Sequence, residues 1–129
     1  MGGRRRWWTV AAWAAFHLVL TSLPESSLPR PGLPLRVDWL VHFGLGGVLG
    51  TLVIWASGSG VAGGGAWRAA RLLAAWAAIA AFCALDEWHQ PYFGRTAEWM
   101  DWTMDVLGGA VGLGLGTLLM RTRLREWVT

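Results

Sequence analysis

Four long apolar stretches, each stopped by proline, glycine or charge, constrain this chain more than any other feature. They fall at 7–23, 37–57, 68–90 and 101–120. A bilayer core of about 30 Å is crossed by roughly 20 helical residues at about 1.5 Å each. None of the four alternates as a strand would. The expected fold is therefore all-α: one membrane domain, 1–129, built as a bundle of four transmembrane helices. Composition agrees, since 54% of the 129 residues are hydrophobic and only 15% are charged, too apolar for a soluble domain of this size. The first stretch follows Arg4, Arg5 and Arg6 as a signal peptide would. No A-x-A-like site precedes the proline-rich loop, so it reads as a retained anchor.

All eleven basic residues are arginine. Arg4, Arg5, Arg6, Arg68, Arg71, Arg121, Arg123 and Arg125 fall on one side of four spans, and Arg30, Arg36 and Arg95 on the other. The positive-inside rule then puts both termini in the cytoplasm of a multi-pass plasma-membrane protein. Arginines spread over span ends are orientation signals, and argue against a nucleic-acid partner. Nine of the eleven tryptophans lie near span ends, where indole prefers the headgroup layer. They are Trp7, Trp8, Trp55, Trp67 and Trp127 at the inner side and Trp39, Trp88, Trp99 and Trp102 at the outer. Trp13 and Trp76 are the exceptions and read as lipid-facing or packing residues.

Small residues four apart let helix backbones approach closely in lipid. Gly46 and Gly50 have this spacing in the second span, Ala77/Ala81 and Ala80/Ala84 in the third, and Gly108, Gly112 and Gly116 in the fourth. The glycine-rich stretch 58–65 has no following Lys-Ser/Thr and no preceding strand, so it reads as a linker and not a phosphate cradle. The single cysteine, Cys83, lies in an apolar run and reads as a small packed hydrophobe.

The polar residues that could do chemistry gather at one end of the spans. Asp38 and His42 are four apart and share a helix face. Asp86, Glu87, His89 and Gln90 end the third span, where carboxylates oppose the helix macrodipole and need a cation. Arg95, in the next loop, is the expected one. Asp101 opens the fourth span and is explained by capping or first-turn placement. Asp105 lies one turn deeper, needs a partner inside the bundle, and is expected to find it in His42, with Arg95 next. Glu98 reads as a solvated loop charge. His17, in the outer half of the first span, could reach the cluster, but reads more simply as a lone histidine packed in the bundle.

The order Asp38-x-x-x-His42-Phe43, Asp86-Glu87-Trp88-His89-Gln90, Gly94-Arg95, Asp101-x-x-x-Asp105 and Gly109-x-x-Gly112 resembles the VanZ-like family of small membrane proteins over most of the chain. The resemblance implies four transmembrane helices with these motifs on the outer side, and a link to glycopeptide-type antibiotic resistance. It supplies no reaction. The family often has Asp-Lys where this chain has Asp38-Trp39, Pro-Gly-Arg one residue further from the glutamine, and asparagine at the position of Asp105.

Three functions suit such a cluster. The first is binding of an anionic, lipid-linked envelope molecule by Asp38, His42, Asp86, Glu87, His89, Gln90, Arg95, Asp101 and Asp105, with Arg95 gripping phosphate. The second is an intramembrane enzyme, with Asp86, Glu87 and His42 as catalytic candidates and a divalent metal as candidate cofactor. No spacing-defined metal motif such as HExxH is present. The third is a non-catalytic scaffold or partner subunit of another membrane protein, its polar cluster locking the helices. A channel or transporter fits less well, for there is no inverted repeat and the charges avoid the midplane.

Overall fold

The computed structural model describes residues 3–24, 27, 37–58 and 65–126, with side chains as far as 122. Arg30, Arg36, Trp127, linker positions 59–64 and the side chains of Arg123 and Arg125 lie outside the described residues. Four helices run in order: α1 (Gly3–Thr21), α2 (Val37–Ser57), α3 (Gly65–His89) and α4 (Trp99–Glu126). No strand occurs among the described residues. The boundaries follow local chemistry. Pro91 cannot continue the α3 hydrogen-bond ladder, so the chain tightens into a 3₁₀ turn, Gln90–Phe93. Gly94 ends that turn at φ 72°, a left-handed conformation that glycine adopts without a Cβ penalty. Helix α4 runs past the expected 120 through Arg121, Arg123 and Arg125, since arginine is a good helix former.

By length and composition, α2, the segment Gly65–Phe93 and the stretch Trp99–Thr122 of α4 are each long and apolar enough to cross a membrane. Helix α1 differs. Its first turn holds Arg4, Arg5 and Arg6, which leaves an apolar part, 7–21, of about 22 Å.

The distribution of side chains is that of a protein solvated by lipid. The largest fully buried side chains include His17, Gln90, Asp86 and Asp105. Val19, Leu40, Leu73, Leu85 and Trp88 are each more than 60% exposed. A soluble fold would hide the second set and show the first. A small apolar cluster of Leu49, Ile54, Ile79, Cys83 and Leu113 fills the middle of the bundle, and Cys83 is part of that packing as expected.

Helix α2 packs along α4 more extensively than any other pair, then α3 on α4 and α1 on α2. The α2–α4 seam is made of glycine. A Cβ on Gly46 would strike the Asp105 carbonyl, one on Gly108 the Phe43 carbonyl, and one on Gly112 the Gly47 carbonyl. Gly116 is also close, 3.1 Å from the Ile54 Cβ. Thr51 crosses the seam, its Oγ1 donating to the Gly112 carbonyl at 3.2 Å. The alanine pairs of α3 do not act this way. Ala77, Ala81 and Ala84 are exposed and Ala80 half-buried, because α3 meets α4 through Ile79 and Cys83 instead.

Three indoles tie helices together. Trp13 Nε1 donates to the Leu45 carbonyl at 3.1 Å, Trp76 Nε1 to Val106 at 3.1 Å, and Trp102 Nε1 to Ala80 at 3.0 Å. Trp13 and Trp76 are thus packing residues. Trp102, expected as a headgroup anchor, is instead a tie from α4 to α3, because the α3 carbonyl lies within reach. Trp7, Trp8, Trp67, Trp88 and Trp99 remain exposed.

Gly112→Ala is expected to destabilise the protein by about 1–3 kcal/mol through overpacking. Gly114→Ala, where a Cβ meets nothing within 4 Å, should leave it unchanged or slightly stabilised. Unfolding in detergent micelles, followed by circular dichroism, compares the two.

Candidate functional site

All four helices send a polar side chain to one place. On α1, His17 and Thr21 are four apart and so share a face. On α2, His42 stands one turn in from the start. On α3, Asp86 and Glu87 lie in the last turn, with Gln90 directly after. On α4, Asp101 and Asp105 repeat the four-residue spacing. All eight are buried, Glu87 the least at 8% exposed.

These groups form a continuous chain of contacts. Thr21 Oγ1 donates to Asp86 Oδ1 at 2.8 Å and also approaches its own helix at the His17 carbonyl, 2.9 Å away. His17 Nε2 stands 3.6 Å from Asp86 Oδ2 and 3.5 Å from Asp105 Oδ1. Asp105 Oδ2 is 2.8 Å from His42 Nδ1. His42 Nε2 is 3.6 Å from Asp101 Oδ2. At the side, Gln90 Nε2 donates to Glu87 Oε1 at 2.9 Å and to Asp86 Oδ2 at 3.4 Å. Glu87 Oε2 accepts the Glu98 backbone N–H at 3.1 Å.

Two features set this apart from an ordinary hydrogen-bond network. First, four carboxylates face two imidazoles, so even doubly protonated histidines could not balance fully ionised acids. An unbalanced buried charge costs several kcal/mol. Second, the network is incomplete. Both ring nitrogens of His17 are buried without a hydrogen-bond partner, as are Asp105 Oδ1, Asp101 Oδ1 and Gln90 Oε1. Buried polar atoms are nearly always satisfied, so a cluster of orphans calls for further partners, of which water and a cation are the ordinary kinds. The His17 ring is seated edge-on against Phe82, centroids 5.4 Å apart, which holds its nitrogens toward the acids.

Of the residues expected at a site, the structure brings together His42, Asp86, Glu87, Gln90, Asp101 and Asp105, including the catalytic candidates Asp86, Glu87 and His42. Asp105 pairs with His42 as its depth required. Asp101 lies in the first turn of α4, but its carboxylate turns inward to His42, so capping does not explain it. Three expected members lie outside the hydrogen-bonded chain, although Asp38 and Arg95 remain within electrostatic reach of Asp101. Asp38 is exposed, and His42 pairs with Asp105 and Asp101 in its place. His89 faces Ser22, Oγ to Nδ1 3.5 Å, and leans on Phe93 with centroids 4.6 Å apart. Asp86 and His89 both face the end of α1, Asp86 at Thr21 and His89 at Ser22. Arg95 makes no ion pair with a carboxylate among the described residues. Its backbone N–H is spent on the Gln90 carbonyl, and its Nε is buried without a hydrogen-bond partner. The acids find His17, Thr21, Gln90 and a backbone amide instead. Sequence reasoning preferred simple packing for His17 and missed Thr21. The signal for both was a four-residue polar pair in the outer half of the first apolar stretch.

Several subsets have the composition of a metal centre. In His17–His42–Asp105, in His42–Glu87–Asp101 and in Asp86–Glu87–Asp105, one donor atom from each residue lies within 4.8 Å of the others.

Against models of known protein families, curated proteins and solved structures, the chain finds no match.

Removing one partner of a buried pair strands the other charge, at a cost of about 3–5 kcal/mol. Asp105→Ala and His42→Ala are each expected to lose stability on that scale. The double variant should lose clearly less than the sum, and a double-mutant cycle from unfolding in mixed micelles measures the difference.

Proposed function

We propose that this protein is a four-span, VanZ-like membrane protein of the cell envelope whose buried acid–histidine cluster holds a divalent transition-metal ion. The observation that carries this reading is His17. Its ring is fully buried, neither nitrogen has a hydrogen-bond partner, and Nε2 faces carboxylate oxygens of Asp86 and Asp105 at 3.6 and 3.5 Å. Ligands sharing one tetrahedral ion at about 2.1 Å stand roughly 3.4 Å apart. Those separations are long for hydrogen bonds and right for donors around a common centre. A mixed imidazole and carboxylate set suits zinc, manganese or iron better than magnesium or calcium. His17, His42 and Asp105 would be ligands, one donor atom of each lying within 4.8 Å of the others.

Every member of the cluster is less than 9% exposed, and such burial suits a structural metal centre. In this role the ion fastens α1, α2, α3 and α4 at one level. Helix α1 is the fourth span in this reading. With it in place, the arginine distribution sets both termini in the cytoplasm and the cluster toward the outside.

A second reading rests on Arg95. Its orphaned Nε at the acidic end suits a phosphate of an anionic, lipid-linked envelope molecule. Native mass spectrometry of the purified protein would then show an anionic lipid that Arg95→Ala loses.

Elemental analysis of protein purified without chelator tests the metal directly. One zinc-, manganese- or iron-class ion per chain is expected, falling to background in His17→Ala and Asp105→Asn. Chelation should lower the melting temperature, and the same ion should restore it. Protein that is metal-free and equally stable with or without added ions would end the reading. Topology has its own test. A cysteine at Thr96→Cys should be labelled from outside intact cells by an impermeant maleimide, and one at Thr129→Cys should not.

A further inference from the structure

The bundle is not closed along its whole length. Helices α1 and α3 meet at the acidic end, where Thr21 and His17 reach Asp86. They part toward the opposite end. There a half-open cavity of about 560 Å³ lies between 3–7 of α1, 54–57 of α2 and 68–75 of α3. Its volume is within the roughly 300–1,000 Å³ of ordinary ligand sites. The walls are apolar: Trp7, Ile54, Leu72 and Ala75. Its rim carries Arg68 and Arg71, and Arg4 and Arg5 stand exposed on the neighbouring first turn of α1. Arg71 lies over the Trp67 ring, 5.2 Å from its centroid, which restrains the guanidinium at the rim.

We infer that this cleft is a binding site for one anionic phospholipid. An acyl chain fits the apolar walls, and the headgroup phosphate sits between Arg68 and Arg71. The two halves of the cleft match the two halves of the molecule. Guanidinium groups bind phosphate bidentately, and basic pockets between transmembrane helices on the cytoplasmic side select anionic headgroups. Among the described residues α3 is the least covered of the three long apolar helices: 17% of its apolar window is buried, against 39% for α2 and 44% for α4. The site is at the opposite end from the acid–histidine cluster and does not depend on a metal there.

The test uses the whole protein in nanodiscs of equimolar phosphatidylglycerol and phosphatidylcholine, transferred to native mass spectrometry. The wild type is expected to retain one phosphatidylglycerol per chain in preference to phosphatidylcholine. Arg68→Gln with Arg71→Gln should reduce that preference roughly tenfold or more. Ala75→Phe, which fills the apolar wall and keeps both charges, should lower retention of the lipid itself. Metal content should stay unchanged in both variants, so this site can fail while the acid–histidine reading stands. Equal retention of both lipids by the wild type would overturn the proposal, as would an unchanged preference in the double arginine variant. So would displacement of the lipid by inorganic phosphate alone, or a second copy of the chain occupying the cleft.

Discussion

The hydrogen bond between His42 and Asp105 is the contact on which the arrangement of this protein depends. It lies within the bundle, between two long apolar helices, where no water replaces a lost partner. It forms only because α2 and α4 come unusually close. Gly46 is one turn from His42 and touches the backbone of Asp105, while Gly108 is three residues from Asp105 and touches the backbone of Phe43. The glycines set the gap and the polar pair uses it. Each explains the other: side chains at the seam would move Asp105 out of reach, and without the polar pair there is less reason for two backbones to meet at that level.

From that bond the network extends in both directions. Asp105 leads to His17 and so to α1, which otherwise touches the bundle mainly through α2. His42 leads to Asp101, and Asp86 with Gln90 and Glu87 adds α3. An all-hydrogen-bonded polar core would specify a unique packing in lipid. This one leaves several buried nitrogens and oxygens without a hydrogen-bond partner, and the metal proposal rests on them.

Much of this was legible in the residues. Helix positions followed from apolar runs cut by Pro24, Pro91 and charge, because the ladder and the bilayer both impose lengths. Asp105 announced its need for a partner because it sits too deep to cap, and His42 was the imidazole at matching depth. The glycines of α4 announced the close seam. Other features were not legible, for physical reasons. A four-residue spacing shows which side chains share a face but not which atoms bond, so it did not show that Asp38 and His89 lie outside the hydrogen-bonded chain. Arg95 forms no ion pair with a carboxylate among the described residues, although its charge still reaches Asp101. His17 looked bland because the groups around its ring, Asp86, Asp105 and Phe82, come from other helices. The alanines of α3 mimic a packing motif by composition alone.

The three indole ties have a consequence of their own. Each N–H donates to a carbonyl of a neighbouring helix at a depth where a released donor finds no substitute. A helix held this way cannot turn about its long axis without giving up the bond. Trp13, Trp76 and Trp102 therefore act as rotational stops, fixing the azimuth of α1, α3 and α4 as the glycines fix distance. With rotation arrested, the carboxylates have one direction in which to point.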